Sequence, residues 1–429
     1  MKKIVVIGGG LSGLSSAVHL VNNNFKVILI EGSPKLGGRA YSYFDPKTLT
    51  EIDNGQHIMM SCYHDTLELL NIIDAQNEIK IQKQLKVNFV GIGNQQFSLA
   101  AKNIFYPLDL LLGFLSFKVL SIRERLKVID LFLDLMCCFE EDLEDLTVEE
   151  WLRNKNQSQK AIKNFWGILC VGIMNTKVGT ASAELFAFVI KEIFLSGKKN
   201  TRIIVPRSGL SKVFAEKAEK FIIENSSEIL KSERVINISR NDDSLIITTQ
   251  SGMIINADFV ITSVPHFALI KILDNALKGN LVDIRLEYSP ILSVHLWLKN
   301  NFFNEDFYGL IDSKIQWIFN HDSFITIVIS AADEFVSKSE KEILCEIIYE
   351  LNKFFPMFSE DLVLNFRVIK EKRATFVPNI SALVTRKRIS RNMQNLFIAG
   401  DWTNTGLPGT IEGAVKSGKL AAFDLIAQA

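Results

Sequence analysis

Four consecutive apolar positions, 4–7, open the chain with the pattern of a strand buried on both faces in a parallel sheet. A helical period takes over from Leu11 to Asn22, and a second apolar run, 25–30, ends on an acid, Glu31. Strand, helix and strand in this order predict a βαβ unit. Farther on, short apolar or alternating runs predict strands over 85–89, 96–99, 234–238, 245–249, 253–255, 291–298, 315–319, 325–329 and 363–368. Amphipathic spacing predicts helices over 64–80, with Leu67, Leu70 and Ile73 facing a core, and over 211–225 and 338–355. Thr147 and Glu150 have capping-box spacing ahead of a helix at Trp151.

The most apolar stretch, 104–120, is seventeen residues long and contains Pro107, Asp109 and Lys118. That is marginal for a spanning helix, and the proline and charges argue against one. Two readings stand: a buried helix pair, or a membrane-dipping element that admits a water-insoluble substrate. Arg123, Arg125 and Lys127 follow, suited either to anionic headgroups or to a plain solvated face.

Between the first strand and helix lie Gly8, Gly10 and Gly13, spaced G-x-G-x-x-G. The first permits a tight turn, the second a close approach of pyrophosphate, and the third close packing of helix on strand. The helix then starts at Leu11 and Ser12, with its free amides and positive dipole end turned to the phosphates. Glu31, eighteen residues past Gly13, is where an acid hydrogen-bonds a ribose hydroxyl. A mere turn in an ordinary α/β protein would account for the glycines. It would not account for Gly37-Gly38-Arg39-Ala40, a second glycine pair followed by a cation that can pair with phosphate or lie along a flavin edge.

This second element resembles the other FAD fingerprint of the amine oxidase and phytoene desaturase superfamily, and it favours FAD over NAD. Asp53-Asn54-Gly55-Gln56-His57 reads from its residues as a polar turn or as a loop presenting Gln56 and His57 to substrate, His57 as a proton donor. With Ile58 to Tyr63 it resembles the signature of the squalene-associated FAD-dependent desaturases, the hydroxysqualene dehydroxylase family, with methionines and Cys62 where that family has aliphatic and small residues. Phe165 to Thr176, Pro206 to Leu210 and Ala257 to Pro265 resemble further blocks of the superfamily. Asn175 is either a cavity contact or a helix cap. By the resemblance, Val235 places its backbone against the adenine and Arg373 neighbours substrate or flavin. The stretch from Leu396 to Gly418 resembles the C-terminal FAD motif: Gly400-Asp401 reaches the ribityl or pyrophosphate, and the helix starting at Thr410 and Ile411 aims its amides at the flavin.

Composition narrows the class. Hydrophobic residues make up 48%, with 30 phenylalanines against 7 tyrosines, so many large side chains lack a polar handle; by the resemblance they line a long apolar tunnel. Lys+Arg and Asp+Glu are both 48, and no basic stripe supports nucleic-acid binding. The five cysteines form no C-x-x-C pair and read as reduced, mostly buried thiols, and the six histidines have no metal-ligand spacing. No signal peptide is expected. The expected fold is α/β: a discontinuous Rossmann-like FAD domain from 1–60, 205–265 and 391–429, and a substrate domain of helices and mixed sheet from 61–204 and 266–390. No Cys or His sits in an evident attachment motif, so FAD is expected to be non-covalent, and the resemblance implies a long apolar isoprenoid substrate, an external electron donor, and dehydroxylation of hydroxysqualene to squalene. Composition adds the expectation of a cytoplasmic enzyme at the inner face of the membrane, touching it through 104–127. A carotenoid desaturase, an amine oxidase and a non-enzymatic isoprenoid carrier are the rivals, the carrier disfavoured by intact flavin motifs.

Overall fold

The computed structural model describes residues 2–137 and 140–429. Its organising element is a five-stranded parallel sheet in the order Glu228–Lys231, Val27–Glu31, Ile4–Ile7, Phe259–Thr262, Leu396–Ile398. The first strand sits at the centre because its four residues are buried on both faces. All strands being parallel, their carboxyl ends share one edge, and Gly8, Glu31, Ser263 and Gly400 emerge there. That edge is where open α/β sheets bind ligands, at the point where strand order reverses.

The helices Leu11–Asn22 and Ile411–Ile426 lie together on one face. Their contact is close enough that a Cβ on Gly418 would stand 2.0 Å from the Ser12 carbonyl oxygen. Ser15 and Ser16 hydroxyls donate to the carbonyls of Val415 and Gly418. The other face is covered by a three-stranded antiparallel sheet, Val235–Asn241, Ser244–Thr249 and Ile254–Ala257, together with Leu269, Leu273, Leu277 and Leu281. Residues 266–284, counted with the substrate domain in the sequence, thus pack on the cofactor-domain core.

The second layer is a seven-stranded mixed sheet: Val363–Phe376, Tyr288–Leu298, Phe324–Ser330, Trp317–Asn320, Phe307–Leu310, Lys86–Gly91, Gln95–Ala100. The helix Glu340–Phe354 covers one face, its start fixed by a capping box between Ser339 and Glu342. The opposite face meets a helical layer that includes Val148–Asn154, Gly167–Met174 and Ala183–Phe194.

Four expectations need correction. The helix over 64–80 stops at Ile72, because Asp74 turns left-handed at φ 52, and Ile79–Ile81 is instead a strand paired with Ile203–Pro206. The strand begun at Val363 runs on to Phe376, and Arg373 and Thr375 on its continuation reach the cavity described below. The thiols are not mostly buried: among the described residues Cys170 alone is buried, Cys62 is intermediate, and Cys137 and Cys345 are exposed. The run 104–120 is not a buried helix pair. It holds one helix, Leu108–Leu115, with Phe105, Leu108 and Leu112 exposed, and the next helix spans Ile122–Cys137. Among the described residues no helix is long and apolar enough to cross a membrane.

Candidate active site

The two glycine fingerprints meet face to face. Gly37 N–H donates to the Gly9 carbonyl at 2.8 Å, and a Cβ on Gly38 would stand 3.0 Å from Gly10 Cα. Gly8, Gly37 and Gly38 have φ of 103°, 102° and 60°, a region L-residues rarely adopt. A cradle of bare backbone results, at the amino end of the Leu11–Asn22 helix. Glu31 sits at its rim, accepting from Gly9 N and Ser33 N (2.5 and 2.7 Å).

The C-terminal motif closes the cradle from the other side. Arg39 donates to Asp401 Oδ1 and to the Ala374 carbonyl, both at 2.7 Å. Asp401 holds the Arg39 guanidinium charged, above its ordinary range. Thr410 caps the Ile411–Ile426 helix by accepting from Gly413 N, leaving the amides of the first turn toward the cradle. Glu412 turns the other way. Its carboxylate accepts from Asp65 N and Thr66 N, both 2.9 Å, and caps the helix His64–Ile72.

These pieces line one cavity of about 1030 Å³. Gly8, Gly10, Leu11, Ser12, Glu31, Gly37, Gly38, Arg39, Ala40, Gly400, Asp401, Thr410 and Ile411 all reach it, as do Gln56, His57 and Arg373. Two expected residues stand apart. Gly13 packs under the Gly8 carbonyl, where a Cβ would lie at 1.9 Å, and so positions the helix. Val235 is buried at the start of its strand, next to Arg234, which lies over Gly32.

The Asp53–His57 segment divides its labour. Asp53 accepts from Ser42 Oγ (2.7 Å) and Leu210 N (2.9 Å), and burial raises its pKa to about 6. Asn54 donates to the Arg39 carbonyl and accepts from Tyr41 N, clamping the second fingerprint. Gln56 and His57 are left facing the cavity. Burial pushes His57 down to about 4, so its imidazole is neutral near pH 7 and offers an N–H hydrogen bond, with no stored proton.

Beyond the cradle the cavity continues as an apolar chamber walled by Phe89, Phe117, Phe165, Ile168, Phe188 and Trp317. Asn175 is both things its sequence allowed: it lines the cavity and caps its helix in the left-handed region. Its amide also ties Ser289, Thr375 and Ala331 together. Two groups escaped the sequence reading. Tyr288 lines the cavity, its hydroxyl 3.0 Å from His266 Nδ1, and burial raises it to about 12. Arg386 is buried under the 401–407 loop, donating to the carbonyls of Asp401, Thr403 and Leu407 while its guanidinium lies on the Phe376 ring. His266 follows directly on the Ser263-Val264-Pro265 turn, which was the available signal; nothing local marks Arg386. Arg373 lies over Phe267 at the chamber's edge.

Bare glycine backbone at two fingerprints, two open helix amino ends and an acid at the rim fit an adenine dinucleotide with an attached flavin. Among the described residues no cluster suits a metal ion.

The model of the family described as flavin containing amine oxidoreductase matches residues 11–426. Hydroxysqualene dehydroxylase of Zymomonas mobilis is 27% identical over 97% of this chain and 97% of its own length. The 15-cis-phytoene desaturase of Glycine max is 23% identical over 99% of this chain and 79% of its own. Among solved structures, putrescine oxidase bound to putrescine superposes with a TM-score of 0.75 at 14% identity, covering 99% of both chains.

Proposed function

The chain belongs to the flavin-containing amine oxidoreductase family, with FAD as its cofactor, and we propose that it removes the hydroxyl of a long allylic isoprenoid alcohol, hydroxysqualene, to give squalene. The observation that carries this reading is the chamber: it opens off the flavin cradle and is walled by Phe, Ile and Trp side chains, suited to a hydrocarbon. The full-length similarity to a hydroxysqualene dehydroxylase supports it. FAD, when bound, supplies the two-electron chemistry. The C–O bond breaks, oxygen leaves as water with one proton, and carbon gains two electrons and a second proton, the electrons coming from an external donor. Gly10, Gly38 and the amides at Leu11 and Ile411 would hold the cofactor, with Arg39 and Asp401 closing the cradle around it. The chamber orients the chain and excludes water. His57 and Gln56 hold the hydroxyl by hydrogen bonds, and the neutral His57 N–H polarises the departing oxygen.

The test is anaerobic. Protein carrying FAD, reduced with dithionite, is mixed with hydroxysqualene in detergent. Flavin reoxidation with squalene in the mass spectrum is expected, and flavin that stays reduced overturns the reading. In His57→Ala, turnover should drop by at least ~100-fold with flavin absorbance retained; undiminished turnover removes the role. The second reading is a phytoene-type desaturase, supported by the same chamber and the plant relative. Bleaching of the oxidised flavin by phytoene would favour it.

A further inference from the structure

Eight exposed large apolar side chains lie between residues 104 and 136. Ile104, Phe105, Leu108 and Leu112 project from the first helix of the helical layer and the loop before it, Phe105 being 71% exposed. In the next helix, Ile122–Cys137, Val128, Leu131 and Leu135 turn into the core. Ile122, Leu126, Leu133 and Met136 are exposed, and at 3.6 residues per turn they form a single stripe within about 80° of arc on the opposite side. A helix apolar on both faces has one face covered by the core and leaves the other to be covered by something else.

This surface is the outer skin of the chamber. Phe114, on the inner side of the first helix, packs on Phe165 with ring centroids 5.0 Å apart, and Phe165 lines the chamber. Tyr106 donates to the carbonyl of Phe194, another chamber residue. Cations flank the patch. Lys198 bonds the Ile104 carbonyl and pairs with Asp109 at 3.5 Å, while Lys102, Lys118, Arg123 and Lys199 are exposed with no carboxylate partner among the described residues. Exposed apolar side chains with four unpaired cations on the same elements and loops complement acyl chains beneath anionic headgroups. They do not complement a second copy, whose identical cations would face them.

We propose that residues 104–136 seat the protein on an anionic bilayer, with Phe105, Leu108, Leu112 and Leu126 entering the acyl boundary and Lys118 and Arg123 at lipid phosphates. Substrate then passes from the bilayer into the chamber without crossing water. Its purpose rests on the hydrocarbon-alcohol reading above; its test does not.

The holoprotein is floated without substrate on vesicles of phosphatidylcholine with phosphatidylglycerol, and on phosphatidylcholine alone. It should float with the anionic vesicles and be released by salt near ~1 M. The combined change Phe105→Ser, Leu108→Ser and Leu112→Ser should lower the bound fraction at least ~10-fold while flavin absorbance and melting midpoint hold. Should that variant unfold, Lys118→Glu with Arg123→Glu must remove the preference for anionic lipid. Wild-type protein left in the soluble fraction, or variants that bind as wild type does, overturn the proposal. So does a dimer that the serine variant dissolves. Turnover of detergent-solubilised substrate should be unchanged in the serine variant, and turnover of vesicle-embedded substrate lost. A protein that floats and never turns over keeps this proposal and fails the other.

Discussion

At the scale of single residues, burial decides chemistry that residue type leaves open. His57 was a proton donor by its ordinary pKa, and its surroundings hold it neutral. Arg386 gives a sharper case. Its charge is buried with no acid on it, and desolvation lowers it to about 10. Its N–H groups instead satisfy the carbonyls of the loop that carries Asp401. Replacing it with methionine keeps the volume and strands those carbonyls, at a cost of at least about 3 kcal/mol. Arg386→Met should therefore lower the denaturation midpoint and loosen FAD, read by flavin release on gel filtration. A variant that keeps both would show that the loop is held by other means.

Between elements, the decisive contact joins chain regions some four hundred residues apart. Ser12 and Ser417 hydroxyls lie 2.8 Å from one another, and Ser417 Oγ accepts from Gly400 N. The two helices whose amino ends face the cradle are thus fixed to each other and to the Gly400 loop. Gly418 lets them approach. In Gly418→Ala the new methyl would overlap the Ser12 carbonyl, and backbone cannot swing aside as a side chain can. The helices must separate, moving both sets of amides. The expected result is protein purified largely without flavin, with helix content by circular dichroism preserved. Full flavin occupancy in that variant would refute the coupling.

For the molecule as a whole, five histidines lowered by burial act on its response to acid, His266 among them. Burial lowers His19, His57 and His321 to about 4 and His295 to about 3. In the unfolded chain each titrates near 6.5, so between about pH 6.5 and 4 the unfolded state takes up protons that the folded state refuses. Their contribution is present in full above that range and is lost as pH falls, by up to about 1.4 kcal/mol per pH unit for each residue. Asp53 and Glu412, raised by burial, act in the opposite sense, binding protons first in the folded state. Five groups against two predict a net loss, so the urea midpoint should be lower at pH 5 than at pH 7.5. A higher midpoint at pH 5 would refute this.

The central strand, the first helix and both glycine fingerprints are legible in the sequence because each depends on neighbours within a few positions. Glycine permits a backbone angle, and an apolar period selects a strand or a helix. The glycine cradle is local in this sense at each end of the chain, so each of its motifs can be read without the other. The strand Phe307–Leu310 was not legible, since four residues carry too little period, and it forms only because neighbouring strands pair with it. The continuation of Val363–Phe376 past residue 368 is likewise held by its pairing with Tyr288–Leu298. Tyr288 beside His266, Arg386 beneath the 401–407 loop and Glu412 on a distant helix end acquire their roles from partners brought to them by folding. The exposed leucine stripes show the same division. Sequence could say that 104–120 is apolar, and only packing decides which side of an apolar helix is covered.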